Sequence, residues 1–321
     1  MQLEWNHSLS ADDAYGAEAR DRLIGGAHDD MRQANVMHVS EVSEPEKLSR
    51  GVVEIRPGRG LLDLDLGGVW RYRELLHILV VRDLKVLYRQ AALGAAWAII
   101  QPVFAVAIFT VVFGHFAKIP SDGLPYPVFA FAALLPWTYF AEAVRRSGTG
   151  LVNESDLIRK IYFPRLIIPL AAVIAPLVDF LITFLVLLVL LAWYGIVPGW
   201  QMLFVPPLLL VATLLALAMG LWLGPINVRF RDIKHTLPFL LQIWMFASPI
   251  VYPLSMIPER WKWLYSLNPM VGVIEGFRWA VLGTGSPDLM ALSLSASLIV
   301  LLLVGGLVFF KRMERSFADL I

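Results

Sequence analysis

LVNESDLIRKIYFPR, Leu151–Arg165, is a charged island between two long apolar runs, and its reading decides how the rest of the chain is placed. Fifteen residues are too few for a domain and enough for one short helix. Asn153 reads as an N-cap, with Asp156 three residues later in the position of a capping-box acid. Glu154 and Asp156 fall in the first turn and Arg159 and Lys160 in the last, so the charges complement the helix dipole. Pro164 disfavours helical geometry at Phe163 and ends the segment. Taken alone, the stretch fits a short surface helix and a solvated reversing loop equally well, so the flanking chain has to decide.

The flanking runs are Tyr126–Val144 and Leu166–Tyr194, each near the roughly 20 apolar residues that a membrane crossing needs. Four more runs of this kind follow or precede them: Ala95–Phe116, Met202–Ile226, Leu237–Ile257 and Leu289–Phe310. A length of 321 residues ordinarily suggests two soluble domains. A composition of 58% hydrophobic and 17% charged residues, with a mean hydropathy of +0.65, overrules that and makes lipid the main solvent. Prolines inside the runs, such as Pro102, Pro136, Pro176 and Pro249, imply a bundle in which neighbouring helices satisfy the freed carbonyls. The expected fold is an all-α integral membrane protein with six transmembrane helices over residues 95–310 and a tail over 311–321.

Orientation follows from Lys and Arg near the spans. Sixteen of them fall on the side that holds both termini and four on the other, where Lys118, Arg260, Lys262 and Arg278 lie. Both termini are therefore expected in the cytoplasm, together with the island Leu151–Arg165. Residues 1–66 lack a long apolar run and a secretory signal, and are expected to be a disordered or loosely attached extension. Within residues 67–94, Trp70–Gln90 reads as an amphipathic helix whose polar stripe carries Arg71, Glu74, Arg82, Lys85 and Arg89, while Asp83 breaks the pattern. With Trp70, Tyr72 and Tyr88, such a helix suits the headgroup layer.

On the outer side Asn268–Gly283, NPMVGVIEGFRWAVLG, is apolar apart from Glu275 and Arg278, which meet on one helical face. Asn268-Pro269 and Gly283 bracket a short helix, too short to cross, that dips into the outer leaflet and returns. Asp179, near the middle of the third run, stands apart as an intramembrane acid without an obvious partner at its depth. Such a group is either a functional site or a packing contact to a neighbouring helix.

Enzymatic signatures are missing. The chain has no cysteine, which excludes disulfides and thiol chemistry, and no GxxxxGK[ST], HExxH or GxSxG motif. His7, His28 and His38 lack ligand spacing, so no metal site is expected. No basic patch interleaved with aromatics suggests nucleic acid. The many aromatics read first as interfacial belts or packing. The sharper reading makes Phe113, Trp137 and Trp244 the lining of a path on which sugar rings stack.

Taken in order, RDLKVLYRQAALGAAWAIIQP (Arg82–Pro102), LLPWTYF (Leu134–Phe140), NESDLIRKIYFPR (Asn153–Arg165), NVRFRDI (Asn227–Ile233) and QIWMFASPIVYP (Gln242–Pro253) give a pattern that resembles the type-2 ABC permeases that export polysaccharides such as O-antigen, capsule and teichoic acid. The resemblance covers about residues 60–321. It implies a homodimer in the cytoplasmic membrane with two separate ATPase subunits, which carry ATP and Mg, while this chain binds no cofactor. It further implies that Asn153, Glu154, Asp156, Leu157, Arg159, Lys160, Tyr162 and Phe163 belong to a coupling helix docking on the ATPase, and that Arg82, Asp83, Lys85 and Arg89 belong to an interface helix. A lipid-linked glycan then passes between the two copies along the first and fifth spans, under the re-entrant segment. The alternatives are export of another lipid or a drug by the same family, a secondary transporter, and a membrane-embedded glycan-modifying enzyme. The last two lack the inverted repeats, ion sites or acid/base groups they need.

Overall fold

The computed structural model of the chain describes residues 66–89, 96–283, 289–314 and Phe317, so the expected extension lies outside the described residues apart from Leu66. All regular elements among them are helical. Helices α1 (Leu66–Arg71) and α2 (Arg73–Arg89) cover most of the expected interface helix, with Tyr72 between them. On α2 the apolar stripe turns inward at Leu79, which is buried, while Glu74 and Lys85 are exposed, as is Arg71 at the end of α1. The side chain of Arg89 is outside the described residues.

The first apolar run forms α3 (Ala96–Phe109), which widens into a π-helix over Thr110–Phe116. The second forms α4 (Tyr126–Asn153), 28 residues and so about 42 Å long, longer than the roughly 30 Å hydrocarbon layer. Arg145 and Arg146, which the run Tyr126–Val144 leaves in the loop that follows, are therefore helical, as is Glu142. The short α5 (Ser155–Lys160) follows directly. The third run is divided by Pro176 into α6 (Ile167–Ile174) and α7 (Leu177–Trp193), because proline lacks the amide hydrogen that would continue the ladder. A 3₁₀ turn, Trp200–Phe204, leads into α8 (Val205–Arg229), which has prolines in its first turn, where their missing donors are not needed.

The fifth run departs from expectation. It forms α9 (Ile233–Phe246), only 14 residues or about 21 Å, and then breaks at Ser248-Pro249. A 3₁₀ turn (Leu254–Met256), α10 (Glu259–Tyr265), α11 (Pro269–Leu282) and α12 (Leu289–Glu314) complete the described chain. Five helices among the described residues, not six, are long and apolar enough to cross a membrane.

α4 is central. Its apolar stretch is largely enclosed, and the helix packs against α3, α6, α7, α8, α9 and α11. Its most extensive neighbour is α8, and small residues allow the approach: a Cβ at Gly220 would lie 2.4 Å from Ser147 Oγ. The main core runs through α4, α7, α8 and α11. A second core, at the α5 end, gathers Leu79, Leu151, Phe163, Ile167, Leu221 and Phe317 from segments far apart in sequence.

Candidate functional site

α4 ends where α5 begins, and this joint corrects the expected cap. Asn153 is the last residue of α4, its amide donating to Thr149 Oγ1 at 3.4 Å, and Glu154 links the two helices. The Glu154 N–H still donates to Gly150 O at 2.9 Å, so the ladder of α4 runs through the position where a cap would have to interrupt it. Glu154 makes no side-chain cap either, because its carboxylate is engaged elsewhere: Arg82 of α2 donates to it through both Nη atoms, at 2.9 and 2.5 Å. Arg82 also bonds Asp83 Oδ1 at 2.8 Å. The Glu154 hydrogen bond is the main reason the Arg82 guanidinium is held above its ordinary pKa. The fork geometry of arginine thus clips α2 to the start of α5, which a lysine would not reproduce. A cavity of about 230 Å³ opens beside this clip, between Arg82, Arg146, Thr149 and Ala172.

Around α5 the side chains divide. Asp156, Arg159, Lys160, Ile161 and Tyr162 are exposed, Tyr162 by 70%. Leu157 and Ile158 pack partly on the second core. Phe163, expected on the outward apolar face, is buried within the chain, because extended backbone after Ile161 turns it into the second core. Asp156 in the first turn and Arg159 and Lys160 in the last are arranged along the helix dipole as expected.

Asp179 has the partner that sequence could not supply. Tyr88, at the end of α2, donates a hydrogen bond to its Oδ1. Burial, and then the Asp179 carboxylate, push the Tyr88 phenol well above its ordinary pKa, so it remains a donor. Thr183, one turn further along α7, bonds Ala98 O at 3.1 Å and ties in the first span. The acid thus links α2 and α7. Tyr88 was visible to sequence reading only as an interfacial aromatic.

At the opposite end, α11 has the bracket its sequence predicts: Asn268 Oδ1 accepts from Met270 N–H at 3.0 Å, and Gly283 sits at φ +68°, where other residues are strained. Arg278 is buried and donates to Glu275 Oε1 and to Ile250 O, both at 2.8 Å. Its guanidinium lies 3.7 Å from the centre of the Phe129 ring. The spacing revealed the first contact. The other two come from the break after α9 and from α4.

Of the candidate path aromatics, Trp137 is buried and packs on Phe140 and Trp244 at 5.6 and 6.2 Å, so it has no free ring face in this structure. Trp244 is half-buried, with its Nε1–H donating to Asn268 Oδ1 at 2.8 Å. Phe113, also half-buried, meets Phe109 edge-on. Exposed apolar side chains include Val103, Phe104 and Ile108 of the first span and Phe239 and Ile243 of α9, alongside others on α7, α8 and α12 such as Leu185, Leu210 and Leu301.

Residues 74–282 match the sequence profile described as ABC-2 type transporter. The chain is 32% identical over 254 residues to the O-antigen export system permease protein RfbA of Myxococcus xanthus, covering 78% of this chain and 96% of the relative. A protein of the same name from Klebsiella pneumoniae is 27% identical, covering 77% and 95%. The polysialic acid transport protein KpsM of Escherichia coli is 28% identical, covering 74% and 93%.

Proposed function

This chain belongs to the ABC-2 type transporter family, and from that premise we propose that it is the membrane-spanning permease subunit of an ABC exporter moving a lipid-linked polysaccharide across the cytoplasmic membrane. It is a multi-pass membrane protein. Relatives named for O-antigen and polysialic acid transport align over about three quarters of it, which favours a glycan over another lipid or a drug. ATP and Mg belong to a separate ATPase subunit, and two permease copies work with two ATPases.

The observation that carries the coupling assignment is the state of α5. It is clipped to α2 through Arg82 and Glu154, yet Asp156, Arg159, Lys160 and Tyr162 remain exposed around it. A rigid seat with charged and aromatic groups facing outward suits docking on a partner, where anchors sit within a polar rim. In this reading α5 is cytoplasmic, as are both termini. α9 crosses the inner part of the bilayer and α11 occupies the outer part, their meeting marked by the Trp244–Asn268 bond. Together they complete the sixth crossing that neither makes alone. The exposed apolar faces of the first span and α9 meet the second copy and the glycan path.

Co-expression with the ATPase tests this. The purified pair is expected to hydrolyse ATP and cells co-expressing both to place glycan at their surface, and the permease alone to do neither. Hydrolysis by the permease alone, or export driven by an ion gradient without the ATPase, overturns it.

A further inference from the structure

Phe317 carries no role in the sequence beyond a place in the tail 311–321, yet the structure sets it against the joint next to α5. Between α5 and α6 the chain from Ile161 to Leu166 is not helical. Its backbone bonds lie toward its ends: Ile161 N–H to Leu157 O at 3.1 Å, and Ile167, Ile168 and Leu170 N–H to Pro164 O, Arg165 O and Leu166 O at 3.0, 3.2 and 3.2 Å. Pro164 has no amide to add. Any displacement of α5 must cross this joint to reach the span α6–α7, and a joint held only toward its ends absorbs motion by bending.

Side chains hold it instead. Phe163 is buried in the second core. Arg165 Nη1 donates to the carbonyl of Glu314 on α12. The same guanidinium lies 5.6 Å from the centre of the Phe317 ring. Phe317 is fully buried and meets Phe310 edge-on at 5.7 Å. The second core that receives it contains Leu79 of α2, Leu151 of α4 and Leu221 and Val228 of α8. The joint is thereby fixed to three helices that are not its chain neighbours.

We propose that Phe317 and Arg165 form a clasp by which the C-terminal end of the chain stiffens the Ile161–Leu166 joint, so that movement of α5 is passed to the span α6–α7. Both are positioning residues, since neither is exposed for docking. The clasp rests on the reading of α5 as the coupling helix. Packed side chains transmit displacement because a close-packed interior yields little, whereas a solvated linker does not resist it.

The test uses the full chain co-expressed with its ATPase and compares Phe317→Ala, Phe317→Leu, Arg165→Ala and Arg165→Lys. Three quantities are read: ATPase captured per permease, glycan export, and hydrogen exchange of residues 161–168 in the purified permease alone. Phe317→Ala and Arg165→Ala are expected to leave capture unchanged, to speed exchange at Ile167 and Ile168, and to lower export about tenfold, the usual scale of a lost coupling between sites. Phe317→Leu, which refills the core, and Arg165→Lys, which keeps a donor, restore most of the export. Unchanged export despite faster exchange overturns the clasp, as does unchanged exchange. So does a fall of abundance, capture and export together without rescue, which marks a residue needed only for folding. Should the wild-type permease capture no ATPase, the coupling reading fails first, and the exchange result alone then decides whether the clasp holds the joint.

Discussion

α5 and α11 sit at opposite ends of α4 and are built from similar materials. Each is a short helix next to a proline, and each carries charged residues three apart. They differ in what they do with them. α5 buries none of its residues, whereas α11 buries twelve of fourteen, Arg278 included. Taking a guanidinium out of water costs several kcal/mol, so Arg278 is tolerated only because Glu275, Ile250 O and the Phe129 ring already surround it. Arg159 and Lys160, left in solvent, add little to the fold and remain free to act on something else. The same residue types brace the chain at one end and are offered outward at the other.

The comparison breaks most visibly if the two ends are not on opposite sides of the membrane. In this cysteine-free chain, Ser121→Cys and Glu259→Cys are expected to react with an impermeant thiol reagent in intact cells, and Asp156→Cys only after lysis. Labelling of Asp156→Cys in intact cells removes the orientation and the coupling assignment with it.

Next in size is the buried arginine. Arg278→Met breaks the buried ion pair with Glu275 and is expected to cost about 3–5 kcal/mol, read as lost membrane abundance and a lower unfolding temperature. Spacing alone suggests that exchanging the charges, Glu275→Arg with Arg278→Glu, rescues it. The structure says otherwise, because a carboxylate at 278 cannot donate to Ile250 O or stack on Phe129. Recovery of full abundance in the exchanged protein shows that the ion pair was the only contact of consequence.

Arg159→Glu with Lys160→Glu is the counterpart at α5. Abundance stays normal, while ATPase capture weakens by about 2–3 kcal/mol and export is lost, since like charges now face the partner. A drop in abundance places these residues in the fold and erases the contrast with α11.

The smallest effect is expected from the clip between α2 and α5. Arg82→Ala removes a partly exposed pair worth about 1 kcal/mol or less, so export falls a few-fold and the ATPase still docks. Loss of docking as complete as in the double reversal means that Arg82 itself contacts the partner.

Much of the site was legible as segments and little of it as contacts. Asn268 and Gly283 bracketed α11, and the charges of α5 ordered themselves along its dipole, because caps and dipoles act within a few residues of the chain. The Asn153 cap failed, since its reading ignored that α4 could continue and that Glu154 would be claimed by Arg82, 72 residues away. The coupling-helix resemblance counts Phe163 among the docking residues, and it turns inward because α2, α8 and α12 leave an apolar hollow there. The fifth run was continuous in hydropathy, but Ser248-Pro249 broke its backbone, and hydropathy does not register a missing donor.

The sequence by itself determined the solvent of this protein, the positions of most of its long helices and the segments that lie at their ends. Those follow from single residues meeting lipid or water, and from neighbours along the chain. Only the tertiary structure decided which apolar helix is enclosed and which is left open: 78% of the apolar stretch in Tyr126–Asn153 is buried, against 6% in Ala96–Phe116. It alone paired Asp179 with Tyr88, Arg278 with Phe129 and Arg165 with Phe317. In lipid, apolarity is satisfied equally by acyl chains and by other helices, so it places a helix in the membrane without choosing its neighbours. That choice rests on shape and on long-range hydrogen bonds, which exist only once the helices are brought together.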